Sequence, residues 1–144
     1  MILQVIGKLY FNKFAPQYYY VYSIAFTLIE LAKNKHEQIK LRDSLATFPP
    51  ENWSNCEQLK WAVKEGMRLH PVARSARTVG QDFITNRDAE TITNGSTCII
   101  LFALQFRDVN IFNNPDMFVP SRWANPTKEM NDAVIPFSLG KQVC

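Results

Sequence analysis

The last quarter of this chain is irregular, and this feature constrains the fold more than any other. The irregular stretch begins near Arg107. Prolines punctuate it at four positions: Pro115, Pro120, Pro126 and Pro136. Proline fixes φ and lacks an N–H donor, so neither a long helix nor a central strand fits here. Phe112, Phe118 and Trp123 are expected to attach the stretch to a core, and so long an irregular segment in a compact domain usually has a functional reason.

The first half of the chain has the periodicity of helices. Apolar residues recur at spacings of three and four, which predicts helices over residues 18–33, 36–45 and 55–69. Asn55 is expected to cap the third helix, with Gln58 completing a capping box.

Short β-rich runs follow the third helix. Strands are predicted over four ranges: 76–79, 83–85, 90–93 and 97–102. Asn94-Gly95 lies between the last two runs and predicts a hairpin there. The expected fold class is therefore mainly α with a small β-sheet, that is, α+β.

Composition excludes several classes of protein. With 144 residues and 47% hydrophobic content the chain has enough apolar surface for one folded domain, which excludes disorder. The net charge of +3 is small, and the basic residues are interleaved with acids, so a nucleic-acid partner is not expected. Cys56, Cys98 and Cys144 are far apart and lack zinc spacing, which argues against a disulfide framework and a zinc site.

The longest nearly uncharged run covers residues 18–32 and includes Glu30. It falls short of the ~20 apolar residues that a membrane-spanning helix needs. We expect a buried helix and no transmembrane anchor in this chain, with an interfacial segment as the alternative.

Two motifs have ambiguous chemistry when each is taken alone. Glu65-x-x-Arg68 places opposite charges on one helix face, which in an exposed pair contributes only ~0.2–0.5 kcal/mol. Cys144, at the end of a segment containing Gly140, is either a small buried residue or a thiolate presented to a metal. Soft thiolate ligands suit iron, and glycine lets the backbone approach a flat cofactor closely.

Together, the motifs are much more specific. Four occur in one order: Glu65-x-x-Arg68, Arg107-Asp108, Pro115-x-x-Phe118-x-Pro120-x-Arg122-Trp123 and Phe137-x-x-Gly140-x-x-x-Cys144. This ordered set resembles the cytochrome P450 family. The resemblance covers residues 24–144 and implies a partial cytochrome P450 fold, truncated at both ends. Residues 1–23 are expected to form an atypical N-terminal segment, and a relation of that segment to the family is left open.

The resemblance implies a haem b site. Cys144 matches the axial thiolate ligand of the haem iron, and Gly140 belongs to the same loop. Phe137 matches the residue that packs beside the sulfur, and Arg77 matches a basic partner of a haem propionate.

The resemblance also implies a structural triad. Glu65 and Arg68 match a helix motif of the family, and Arg122 matches the residue that reaches this pair from the irregular stretch. Its implied role is to hold the stretch and the cysteine loop in place. No residue of the triad is expected to take part in the chemistry.

The implied activity is that of a haem-thiolate monooxygenase, which inserts one atom of O₂ into a small organic substrate. Electrons would come from NAD(P)H through a redox partner, a reductase or a ferredoxin. Many eukaryotic relatives are anchored at the endoplasmic reticulum, but the localisation of this chain is left open.

Several positions depart from the family pattern. Residues 15–20 lack the acid and threonine of the oxygen-activating motif, and Pro16 predicts an interrupted helix. Gln142 replaces a basic residue, Gly66 interrupts the third helix at a tolerable cost of ~1 kcal/mol relative to Ala, and Cys144 ends the chain. The chain is therefore expected to be an inactive fragment that binds haem weakly or not at all. The alternative is a non-catalytic remnant or partner-binding module that keeps the scaffold.

Overall fold

The computed structural model describes residues 15–72, 75–85 and 89–136. In chain order the helices are α1 (Ala15–Lys33), α2 (Lys35–Leu45), a 3-10 helix (Pro50–Asn55), α3 (Glu57–Leu69), α4 (Phe102–Gln105), a second 3-10 helix (Pro120–Trp123) and α5 (Lys128–Ala133). Four strands lie between α3 and α4: β1 (Ser75–Thr78), β2 (Phe83–Ile84), β3 (Thr91–Ile92) and β4 (Thr97–Ile100). The predicted mainly helical α+β class is confirmed.

The three predicted helices are present, with two corrections at their ends. Helix α1 begins at Ala15, three positions before the predicted start and at the first described residue, so Pro16 lies in its first described turn, and a proline in a first turn removes no intrahelical bond. The predicted capping box at Asn55 is wrong. Pro50 begins a 3-10 helix that includes Asn55, so Cys56 becomes the residue before α3, and its side chain makes no capping hydrogen bond.

The strands form two separate antiparallel pairs. β1 pairs with β4, with Ser75 opposite Ile100 and Thr78 opposite Thr97. β2 pairs with β3, with Phe83 opposite Ile92. In the sequence, the β2–β3 pair therefore lies between the two strands of the β1–β4 pair.

The predicted hairpin at Asn94-Gly95 is wrong, although a tight turn does form there. The N–H of Ser96 donates to the carbonyl of Thr93 at 3.2 Å, and Gly95 has a φ of +84°. The turns that match the twist of paired strands have a positive φ at their first central residue, whereas here only the second is positive. The turn thus redirects the chain from β3 into β4 without pairing the two strands.

Two clusters of buried side chains form the core. The larger one joins α4, α5 and the irregular stretch: Phe102, Phe106, Phe112, Trp123, Met130, Ala133 and Val134. The smaller one joins the first three helices and one residue of the stretch: Leu31, Leu41, Ala62, Leu69 and Phe118. The three aromatic residues expected to attach the irregular stretch are all buried, which confirms that prediction.

Helix α1 crosses α3 at very short range. A Cβ built on Gly66 would lie 2.2 Å from Oγ1 and 3.0 Å from Cβ of Thr27. The prediction that this glycine is a tolerable interruption of α3 is therefore incomplete, because the close approach of the two helices requires it.

In the described ranges no helix has both the length and the apolar character to cross a bilayer.

Candidate functional site

Glu65 lies at the centre of a buried hydrogen-bond network on α3. Its side chain is fully buried and accepts five hydrogen bonds. Oε1 accepts from Arg68 Nη2 at 2.8 Å, the backbone N of Val119 at 3.0 Å and Arg122 Nε at 3.0 Å. Oε2 accepts from Arg68 Nε at 3.0 Å and Trp123 Nε1 at 2.9 Å. The structure thus brings the three predicted members of the triad together around one carboxylate.

Arg68 connects α3 to the irregular stretch through backbone carbonyls. Its guanidinium is fully buried and forms a bidentate pair with Glu65. The remaining donors reach three carbonyl oxygens: Phe106 at 2.8 Å, Pro115 at 2.6 Å and Met117 at 3.1 Å. Arg68 therefore makes five hydrogen bonds, as many as a guanidinium has N–H donors.

Arg122 shares the Glu65 Oε1 acceptor with Arg68. Besides its bond to Glu65, it donates to the carbonyls of Asn113 at 2.8 Å and Asn114 at 3.2 Å. Asn114 has a φ of +50°, in the left-handed region that asparagine tolerates better than most residues. Arg122 thereby holds a tight bend of the stretch against the second 3-10 helix.

Trp123 also belongs to this network, although the sequence analysis did not predict it as a hydrogen-bond donor. Its indole N–H donates to Glu65, while its ring packs in the larger core cluster. A buried tryptophan usually finds a hydrogen-bond acceptor, and its position beside Arg122 was the available signal. Lys64 lies 4.0 Å from the centre of this ring, and burial lowers the pKa of that lysine.

The charges of the network are unequal, because two guanidinium groups surround one carboxylate. Backbone carbonyl dipoles compensate the surplus positive charge. Among the described residues every buried side-chain nitrogen and oxygen has a hydrogen-bond partner. The loss of any one member of such a network is strongly destabilising, because the groups left behind would be buried without partners.

The Arg107-Asp108 motif fixes the beginning of the irregular stretch. Arg107 Nη2 donates to the carbonyl of Leu69, at the end of α3, at 2.7 Å. Asp108 Oδ1 accepts from the backbone N of Asn110 at 2.8 Å, as in an Asx turn. Both residues therefore hold the backbone here, and Arg107 Nε also pairs with Asp116 Oδ1 at 3.1 Å.

Only one of the predicted cofactor-binding residues lies in the described part of the chain. Arg77 is exposed on β1, opposite Cys98, and its Nη1 donates to the carbonyl of Ala76 at 3.0 Å. Phe137, Gly140 and Cys144 lie outside the described residues.

The described cysteines and acids make no disulfide and no metal cluster. Cys56 is buried and Cys98 is exposed, and both are free thiols. Within residues 15–72, 75–85 and 89–136, no group of three His, Cys, Asp or Glu side chains is arranged to hold a metal ion.

A second polar contact, unpredicted from the sequence, ties α1 to the end of α3. His70 Nε2 lies 3.0 Å from Glu30 Oε1, and the His70 ring stacks on Phe26 with a centroid distance of 4.6 Å. Burial alone would raise the pKa of Glu30, but hydrogen bonds from His70 and Lys33 outweigh it and hold that pKa below its ordinary value. Glu30 is therefore a carboxylate that favours its charged form in the folded chain.

Comparison with known proteins gives a single family. The sequence model of the family "Cytochrome P450" matches residues 21–144. "Probable cytochrome P450 12c1, mitochondrial" from Drosophila melanogaster is 25% identical over 142 residues, covering 85% of this chain and 27% of the relative. "Cytochrome P450 4F6" from Rattus norvegicus is 29% identical over 134 residues, covering 85% and 25%. "Alstonine synthase" from Catharanthus roseus is 32% identical over 133 residues, covering 84% and 25%. The chain thus spans about a quarter of the length of these curated relatives.

Proposed function

We propose that this chain, which belongs to the cytochrome P450 family, is a part of a haem-thiolate monooxygenase in which Cys144 supplies the axial ligand of the haem iron. The observation that carries the proposal is the buried Glu65 network. It binds the irregular stretch to α3 through three hydrogen bonds from Val119, Arg122 and Trp123 to one carboxylate. The described stretch ends at residue 136, eight positions before the proposed ligand.

The chemistry of the available donors fits this cofactor. A thiol becomes a soft thiolate ligand when deprotonated, and such ligands suit iron. Arg77, exposed on β1, offers a guanidinium that can form a charge-assisted pair with a haem propionate. Gly140 would allow the backbone to approach the ring, and Phe137 would keep water from the sulfur.

Glu65, Arg68 and Arg122 act in this proposal as positioning residues. Arg68 and Arg122 donate to backbone carbonyls of the irregular stretch, and Glu65 accepts from the backbone N–H of Val119, so their role is to hold that stretch and the segment that follows it. Because all the hydrogen-bonding capacity of Arg68 is used within the protein, none is left for a substrate.

When bound, the haem supplies the reductive activation of O₂ that allows one oxygen atom to enter an organic substrate. A redox partner delivering electrons from NAD(P)H, and a small organic substrate, are part of the proposal for the complete enzyme. The division of the chain into residues 1–23 and a family region from residue 24 stays a prediction.

A second candidate is a non-catalytic member of the family that retains the scaffold as a remnant or partner-binding module. It is favoured by the sequence Ala-Pro-Gln-Tyr-Tyr-Tyr over residues 15–20, where the family carries an acid and threonine for oxygen activation. The same haem site with no turnover is expected in this case.

Addition of haem to the purified chain tests both candidates. If the chain takes up haem, we expect a reduced carbon monoxide spectrum of the thiolate type, and its loss in Cys144→Ser. Cys98→Ser is the matched control, since Cys98 is an exposed free thiol on β4 and its loss is expected to leave the spectrum unchanged. An unchanged spectrum in Cys144→Ser would overturn the ligand assignment. Oxidation of a test substrate by the complete haem-loaded protein with a surrogate oxygen donor then separates the monooxygenase from the non-catalytic candidate.

A further inference from the structure

Two consecutive residues of α3 contact the same indole ring from different directions. Glu65 Oε2 accepts a hydrogen bond from Trp123 Nε1 at 2.9 Å. Lys64 places its ammonium over the face of the ring, with Nζ 4.0 Å from the ring centroid. The same Nζ donates to Asn131 Oδ1 of α5 at 2.8 Å, although the two residues are 67 positions apart. Lys64 therefore connects α3 with both the second 3-10 helix and α5.

The surroundings of Lys64 differ from those of a solvated lysine on a helix surface. Burial lowers the pKa of Lys64, so its ammonium is partly withdrawn from water. Among the described residues no salt bridge includes this lysine. Its contacts are instead an amide oxygen and the face of an indole, and a cation binds an aromatic face more strongly when it is desolvated.

We propose that Lys64 is a further positioning residue of the Glu65 network, whose charge over the ring keeps the Trp123 indole in the orientation in which its N–H donates to Glu65. The ring is then fixed at two places, at its N–H by a carboxylate and at its face by an ammonium. A cation over the face also draws electron density from the ring, which strengthens the N–H as a donor, as in other cooperative networks.

This positioning role rests on the proposed function, in which the Glu65 network holds the irregular stretch. The contact itself can be tested without haem. An alternative role for Lys64 is to attach α5 to α3 through Asn131 alone. The two roles differ in what they protect, because only the contact with the ring acts selectively on the Trp123 indole proton.

The test is exchange of the Trp123 indole proton with D₂O, followed by nuclear magnetic resonance on the haem-free chain. Its rate is divided by that of the slowest backbone amides of α3, so that a general loss of stability cancels from the ratio. Trp123→Phe identifies the resonance by its absence. Lys64→Met keeps the length and apolar stem of the side chain but removes its charge. We expect it to raise the ratio by about threefold to thirtyfold, the range that the strength of cation–π contacts implies.

Three further variants separate charge from packing. Lys64→Arg keeps a cation that also binds aromatic faces, so its ratio is expected to stay within about twofold of the wild type. Lys60→Met is the matched control, because Lys60 lies one turn earlier on α3 and pairs with Glu57. Asn131→Ala removes the amide acceptor but keeps the contact with the ring, so it is expected to raise the ratio less than Lys64→Met does.

Four outcomes would overturn the proposal. They are an unchanged ratio in Lys64→Met, a ratio in Lys64→Arg as high as in Lys64→Met, or a rise in Lys60→Met or in Asn131→Ala equal to that in Lys64→Met. Circular dichroism establishes that each variant is folded. Because every measurement is made without haem, failure of this proposal leaves the haem assignment untouched, and failure of the chain to bind haem does not affect this result.

Discussion

Replacement of Glu65 by glutamine is the sharpest test of the buried network. The substitution keeps the shape of the side chain but removes its charge and replaces one acceptor oxygen with an NH₂ donor. In the folded chain Oε1 accepts three hydrogen bonds and Oε2 accepts two. Whichever way the amide is turned, at least two donors must then face an NH₂ group.

The expected cost follows from that count. A buried donor left without its acceptor costs about 1–3 kcal/mol, so two of them cost about 2–6 kcal/mol. Removal of one partner from a buried ion pair costs about 3–5 kcal/mol, and the two figures describe the same loss rather than separate ones. We therefore expect Glu65→Gln to lower the free energy of unfolding by about 3–5 kcal/mol, a large part of the ~5–15 kcal/mol typical of a domain.

Urea unfolding followed by circular dichroism measures this change. With a slope of about 2 kcal/mol per molar urea, a loss of about 4 kcal/mol lowers the midpoint by about 2 M. Glu57→Gln in the same helix is the matched control. Glu57 is 58% exposed and, among the described residues, pairs with Lys60 alone, so the loss of this pair is expected to cost about 0.2–0.5 kcal/mol.

Free energies of unfolding within about 0.5 kcal/mol of each other for Glu65→Gln and Glu57→Gln, the size of an ordinary surface effect, would refute the stabilising role of Glu65. Wild-type hydrogen-exchange protection over the second 3-10 helix in Glu65→Gln would refute it as well. That helix contains the Arg122 and Trp123 donors and would lose its acceptor.

Three further predictions concern single contacts. Gly66→Ala should destabilise the chain by about 1–3 kcal/mol in urea unfolding despite the better helix propensity of alanine, because its Cβ would overlap Thr27. A second substitution, Thr27→Ala, should restore only part of the lost stability, since the Cα of that residue would also lie 3.2 Å from the new Cβ. The pKa of Glu30 is held below its ordinary value of 4.5, so the stabilising contribution of Glu30 is present above that pH and is lost as the pH falls through the folded-state pKa. Glu30→Gln or His70→Asn should therefore make the free energy of unfolding less dependent on pH in acid, and an unchanged pH dependence would contradict this. Trp123→Phe keeps an aromatic ring in the core but removes a donor to Glu65, so thermal unfolding should show a loss of at least about 1–3 kcal/mol, and a loss near zero would mean that the indole N–H contributes nothing.

Periodicity and breakers predicted the three long helices well, since each has a clear apolar spacing over several turns. The ends were less predictable. Asn55 and Gln58 satisfy the capping pattern, but Pro50 starts a 3-10 helix that moves Asn55 away from the cap position. The local signal of a cap was overridden by the preceding turn.

Strand pairing was predicted less well than strand positions. All four runs around Asn94-Gly95 are extended, yet β4 pairs with β1, which lies about twenty residues earlier. Pairing depends on which strands the rest of the fold brings together, and a short turn signal cannot report that. The same limit applies to Gly66, whose role became visible only once Thr27 was packed against it.

The resemblance correctly predicted that Glu65, Arg68 and Arg122 are neighbours. The spacing of Glu65 and Arg68 alone favoured a solvated ion pair on the helix surface. The backbone carbonyls that complete the site carry no side-chain signature, so no sequence pattern could identify them. His70 and Glu30 are likewise forty positions apart and meet only through the crossing of α1 on α3.

The acceptors of Arg68 also have a consequence for the order of folding. Its partner Glu65 is three positions away, whereas the carbonyls of Phe106, Pro115 and Met117 are 38, 47 and 49 positions away. The first pair can form as soon as α3 does, but the others require closure of long loops, whose entropy must be lost before the bonds form. In a partly closed chain the Arg68 guanidinium would be buried while some of its N–H donors lack acceptors, which costs free energy. We therefore expect the three carbonyl hydrogen bonds to form together, in one cooperative step late in folding.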